Sequence, residues 1–227
     1  MKTAWCAIVA AGILAAPGVQ AAPPTVGECM ALTPGIKFSK NNGDVQANVE
    51  ATFAGRRLHG TQLLIDDDVL LATYYQDIRD GQVQLAGMTY YNQDGTVRSN
   101  NVYTPHTSIP VKMRPGQQVR VRFTDTETGS DQASPGQSGK NTATIRSDER
   151  EFSMTFLGWE RLELGGRRFP DACKFELHDV GGKSKGRSGD HVWYAQGFGL
   201  IMTDKLDVDG KVLPAQRIAL QKIISAP

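Results

Sequence analysis

The residues Gly182-Lys183-Ser184-Lys185-Gly186 reproduce the Gly-x-Ser-x-Gly spacing with which hydrolases present a nucleophilic serine. That chemistry needs an apolar strand before the serine, a helix after it to aim backbone amides at an oxyanion, and a histidine oriented by a carboxylate. Here the surroundings, residues 178–191, are a basic glycine-rich stretch with no helical pattern behind it. Asp190, adjacent to His191 in the chain, is badly placed to orient it, and glycine opposes a fixed geometry. The Gly-Lys-Ser letters also suggest a phosphate loop, but the earlier glycine it requires falls on Leu177. Glu160 and Glu163 have odd spacing, so on a strand they face opposite sides and cannot act as a paired acid and base. The expectation is a protein that is not an enzyme, with a hydrolase kept as the last alternative.

Cationic side chains are the next candidates. Arg167 and Arg168 occupy one turn and Lys183 and Lys185 the next, and the four could hold an anionic group if both turns lie at one end of a sheet. Trp193 and Tyr194 complete this ligand-binding set. Metal chemistry has little to build on. His59, His106, His178 and His191 lack zinc-ligand spacing, and Asp66-Asp67-Asp68 cannot all point at one ion. Leu206–Gly210 starts like a calcium loop but has no closing glutamate. Neither a metal nor a cofactor is expected.

The elements that must position these groups are strands. Glycine-bearing turn signals recur at 41–44, 79–82, 92–95, 164–167 and 207–210, and the segments between them alternate and favour Val, Ile, Thr and Tyr. A two-residue loop at Asp80-Gly81 sets Arg79 opposite Gln82. It then aligns Leu70, Ala72, Tyr74, Gln76 and Ile78 with Tyr91, Thr89, Gly87, Leu85 and Val83, with Tyr74 over Gly87. Residues 124–144 carry no apolar side chain larger than alanine and read as a long flexible loop. Gly197 and Gly199 read as a corner where a strand bends, placing Trp193 and Tyr194 on opposite faces. The expected fold is all-β, one antiparallel domain over 22–227 whose long curved sheet forms a half-barrel or open barrel, with a β-sandwich as the alternative. Its core is expected from Val49, Phe53, Leu85, Val121, Phe123, Phe156, Trp159, Phe175, Leu200 and Ile218.

Residues 1–21 have the pattern of a signal peptide. Lys2 is followed by a short apolar run from Ala4, a Pro17-Gly18 break and a Val19-Gln20-Ala21 cleavage site. The expected location is periplasmic or secreted, with no transmembrane anchor. Lys and Arg number 25 against 24 Asp and Glu, and the excess residue is matched by Lys2 in the leader. A balanced mature chain argues against nucleic acid as a partner, because such binding rests on excess positive charge. Of three cysteines, Cys6 is in the leader, and in an oxidising compartment Cys29 and Cys173 are expected to form a disulfide.

The stretch Gly158 to Leu177, followed by Val192-Trp193-Tyr194-Ala195-Gln196-Gly197-Phe198-Gly199-Leu200, resembles the C-terminal half of TapB-like proteins. These are exported, β-rich bacterial proteins. The resemblance covers about the last seventy residues and implies a compartment and an architecture, with no catalytic set. The functional expectation is an exported, non-enzymatic β-sheet protein that binds an apolar or lipid-like ligand. The alternative is an envelope structural or assembly factor that pairs a sheet edge with a protein partner.

Overall fold

The computed structural model describes residues 22–65, 69–130, 143–180 and 189–227. The expected signal peptide and the Asp66–Asp68 cluster lie outside them. One short helix, α1 (Val26–Met30), precedes twelve strands: β1 (Lys37–Lys40), β2 (Val45–Phe53), β3 (Arg56–Ile65), β4 (Val69–Arg79), β5 (Gln82–Tyr91), β6 (Val97–Pro110), β7 (Gln118–Ser130), β8 (Ala143–Leu164), β9 (Arg167–Asp179), β10 (Gly189–Ala195), β11 (Gly199–Lys205) and β12 (Ile218–Ser225). The chain is all-β, as its alternation and turn residues require.

Each strand pairs antiparallel with its neighbours in sequence, and β1 also pairs with β12, so the sheet closes into a barrel. The expected half-barrel or open barrel is therefore corrected towards fuller closure. Two-residue loops drive the meander at one end. Ala54-Gly55, Asp80-Gly81 and Gly165-Gly166 all have positive φ at both positions. Those are the angles of a hairpin turn whose twist matches that of the strands it joins.

The β4–β5 register agrees with expectation from Arg79↔Gln82 to Gln76↔Leu85 and then slips. Ala86 is an extra residue on β5, so Gly87 lies opposite Tyr75 and Tyr74 lies opposite Met88. A one-residue slip exchanges faces. Phe53 and Tyr75, stacked 4.3 Å apart, share the Gly87 face. A Cβ on Gly87 would meet the Phe53 ring at 2.6 Å.

The expected 124–144 loop is also corrected. Residues 124–130 are the end of β7, paired with 143–149 of β8, and only 131–142 lie outside the described residues. Thr124, Thr126 and Thr128 supply β-branched residues at every second position, which suits a strand without apolar burial. Polar cross-strand pairs replace it: Thr124 Oγ1 donates to Glu149 at 3.1 Å, and Thr126 and Ser147 lie 3.3 Å apart.

Side chains from β5 to β10 fill the barrel around α1. Val26, Cys29 and Met30 pack with Val121, Met154, Phe156, Phe175 and Val192. The expected bridge joins Cys29 to Cys173 across 144 residues, with Cα atoms 6.0 Å apart. A second cluster, including Phe38, Phe169, Trp193, Phe198 and Leu220, packs where β1 and β12 meet the β8–β9 hairpin. Of the expected core residues, Phe53, Val121, Phe156 and Phe175 are buried, and Val49, Leu85, Phe123, Leu200 and Ile218 are half-buried. Trp159 is not. It is 37% exposed, lying edge-on to Phe156 and donating its Nε1 proton to the Pro24 carbonyl at 2.8 Å.

Candidate functional site

Two of the four expected cationic residues, Arg167 and Arg168, lie within the described residues. Arg167 and Arg168 open β9, while Lys183 and Lys185 follow its other end and lie outside the described residues. Arg167 stands over Phe198 at 4.9 Å and Phe169 at 5.8 Å, on the wall of a cavity of about 330 Å³. Arg168 shares that wall, exposed, 3.7 Å from Glu163.

Trp193 and Tyr194 face opposite sides of β10, as expected, and both sides are covered. Trp193 is 2% exposed and belongs to the second cluster. Its indole N–H donates to Glu160 at 3.1 Å, and Lys174 Nζ sits 4.7 Å above its ring. Tyr194 packs edge-on against Phe175 in the first cluster, where burial pushes its hydroxyl up to about 12. The Gly197–Gly199 corner has positive φ at both glycines. Among the bonds that hold it, three are made by Gly197: its N to Ala31 O at 2.9 Å, Thr33 N to its O at 2.8 Å and Asn48 Nδ2 to its O at 2.7 Å.

Of the residues weighed for hydrolysis, His178, Asp190 and His191 are described. Ser184 lies outside the described residues. Asp190 pairs with Lys205 at 2.8 Å. Glu176 bridges His178 at 2.7 Å and His191 at 3.3 Å, and these bonds hold its carboxyl below the usual range. No group of three His, Cys, Asp or Glu among the described residues is placed to hold a metal ion. In Leu206–Gly210, Asp207 Oδ1 accepts the backbone N–H groups of Asp209 and Lys211, closing its own turn.

A more developed site lies inside the barrel at the end away from α1. Alternate residues of β7 share the inner face: Val121 in the core, Phe123 packed against it, then Asp125 and Glu127. Across from them β6 carries a large bulge. Its pairing with β5 jumps from Gly87↔Val102 to Leu85↔Thr107, although Tyr103 and Thr104 stay paired with β7. Such irregularities re-aim side chains. Here Tyr103 is set against Phe123 with ring centres 4.7 Å apart, and Phe123 meets Phe152 at 6.3 Å.

These rings wall a cavity of about 450 Å³, with Asn101, Asp125 and Glu127 on its polar side. Burial, with the nearby Asp125 carboxylate, holds the Tyr103 hydroxyl well above the ordinary phenol range. Asn101 is 8% exposed. Its Nδ2 donates to Asp125 at 2.9 Å, while its Oδ1 is buried without a partner. The sequence reading missed Asn101, Tyr103 and Asp125. The visible signal was Pro105 interrupting a strand pattern, which marks a bulge.

No protein-family model matches the chain, and neither a curated protein nor a solved structure is similar to it.

Proposed function

We propose that the protein is an exported, non-enzymatic binding protein that takes a small ligand in the aromatic-walled cavity at the mouth of its barrel. The observation that carries this reading is Asn101, a residue lining a 450 Å³ space beside a bulged strand, whose Oδ1 is buried without a partner. Buried polar atoms are nearly always paired, and one left open beside a cavity is suited to a ligand donor. The volume falls in the range of about 300–1,000 Å³ typical of small-molecule sites. Tyr103, Phe123 and Phe152 offer flat apolar faces, so the apolar or lipid-like part of the expected ligand has a surface to lie on. Export rests on the leader pattern and the resemblance to TapB-like proteins.

The pairing of β1 with β12 weighs against the assembly-factor alternative, since the first and last strands are bonded to each other. The test is native mass spectrometry and small-molecule extraction of protein isolated from the exported fraction, beside an Asn101→Leu variant. A bound compound in the wild type that is lost from the folded variant supports the reading. An empty wild type whose Phe123 and Tyr103 ring signals do not move across a fragment library overturns it.

A further inference from the structure

The charges at the mouth say which chemical group such a ligand brings. Asp125 and Asp148 stand directly opposite one another in the β7–β8 ladder, and Asp179 is opposite Phe152 on the same face. Like charges placed across from each other destabilise a sheet unless something neutralises them. The inner face supplies part of the answer, with Arg146 opposite Glu127 and Arg150 opposite Phe123. Asp125, Glu127, Asp148 and Asp179 still outnumber Arg146 and Arg150 by two.

Asp125 has no ion pair among the described residues, and its recorded partner is the neutral amide of Asn101. The same amide leaves its oxygen free, which is an acceptor waiting for a donor. Beside these acceptors lie Tyr103 and Phe123, whose ring faces attract cations. The fold already uses that contact on the same cavity wall, where Arg98 lies 5.0 Å above the Tyr90 ring. A carboxylate, a free amide oxygen and two ring faces together fit a positively charged group that carries N–H donors. Arg150 also lines the cavity, so the preference for a cation rests on the excess of carboxylates together with these acceptors.

We propose, resting on the binding-protein reading above, that the mouth cavity selects ligands through an N–H-bearing organic cation, a primary ammonium or a guanidinium attached to an apolar or aromatic body. The cation sits between Asp125 and the Asn101 oxygen, and the body lies on Phe123 and Tyr103. A quaternary ammonium would satisfy the rings and the carboxylate but could not donate to Asn101. A neutral alcohol of the same shape would lie on the rings and could donate one hydrogen bond, but would bring no charge to Asp125.

The experiment titrates the full-length exported protein by calorimetry and ring-proton NMR with phenethylammonium, its N,N,N-trimethyl analogue and neutral 2-phenylethanol. The expected order is phenethylammonium tighter than the trimethyl analogue by about fivefold or more, and tighter than the alcohol by about tenfold or more, the size of one charge-assisted hydrogen bond. Asp125→Asn should bring the ammonium down to the alcohol's affinity while leaving the alcohol unchanged. Equal binding of all three by the wild type overturns the cation proposal and leaves the cavity reading standing. No binding and no shift at the Tyr103 and Phe123 rings overturns both. A further comparison of ethanolamine with dihexanoyl phosphatidylethanolamine, kept below its micelle concentration, separates a free amine from a lipid headgroup. Tighter binding by either supports the proposal, and saturating phenethylammonium must displace it. Failure of that displacement overturns the assignment to this cavity.

Discussion

Asn48 and Gly197 are 149 residues apart and joined inside the barrel by a hydrogen bond of 2.7 Å. Asn48 is 1% exposed; its Nδ2 also reaches the Phe198 carbonyl at 3.2 Å, and its Oδ1 accepts from Thr61 at 3.2 Å. Replacing it with leucine leaves the Phe198 carbonyl and the Thr61 hydroxyl short of a partner, while the Gly197 carbonyl keeps the Thr33 N–H. Each unsatisfied group costs about 1–3 kcal/mol, so Asn48→Leu should lower unfolding stability by roughly 3 kcal/mol in urea titration.

The corner itself should be as sensitive. Gly197 has φ +82°, and a Cβ there would lie 2.8 Å from Thr33 Oγ1. Gly197→Val meets both strain and overlap and should cost about 2 kcal/mol or more. Gly35→Ala is the control, with φ +90° but open space around the added carbon. It should cost roughly half as much, and similar losses for the two variants would show that packing at the corner is not the cause.

The disulfide fastens α1 to β9. Reduction, or Cys29→Ala with Cys173→Ala, should destabilise the protein by about 2–4 kcal/mol, chiefly by freeing the unfolded chain. Peptide mapping without reductant checks the bond itself, and thermal melts with and without reductant check its contribution. The double variant should melt identically in both.

Lys40 gives a pH signature. It is 5% exposed, and burial lowers its amine from 10.5 to about 8, against the opposing pull of Asp44. Below pH 8 both folded and unfolded chains carry the proton, and the folded state bears the cost of the buried charge. Between about pH 8 and 10 the folded chain has released it while the unfolded chain still holds it, so stability should rise. The gain is on the order of 3 kcal/mol at most, from 1.36 kcal/mol per unit. Above pH 10 the trend should reverse. Burial raises the hydroxyls of Tyr74, Tyr103 and Tyr194, so there the unfolded chain ionises first. Lys40→Met should be more stable than wild type at pH 7 and should lose the rise between pH 8 and 10. Chemical denaturation across that range reads it directly.

Where local rules dominate, the sequence was legible. Asp80-Gly81 demanded a tight turn, and the pairs from Arg79↔Gln82 to Gln76↔Leu85 follow from it alone. The register failed at Ala86, because an inserted residue leaves no trace in a two-residue alternation. Thr124 to Ser130 failed for a different reason. A ladder sustained by backbone bonds and threonines has no apolar periodicity to detect. The mouth was illegible because Asn101, Asp125 and Asp148 come from three strands and become neighbours only through two registers. Cys29 and Cys173 needed no register, since the expected export and an even count sufficed.

The meander has a consequence for the order of assembly. Every strand pairing but β1 with β12 joins segments adjacent along the chain, so hairpins can form as soon as their two strands are available. The closing pair is the opposite case. Lys37–Lys40 must wait for the final strand, Ile218–Ser225, and Cys29 must wait for Cys173. Until then one side of β1 is an open template for any passing strand. The brevity of β1, four residues with two lysines, is a safeguard for that interval, because a short charged edge recruits poorly. The last stave to be fitted is thus the one that removes the hazard.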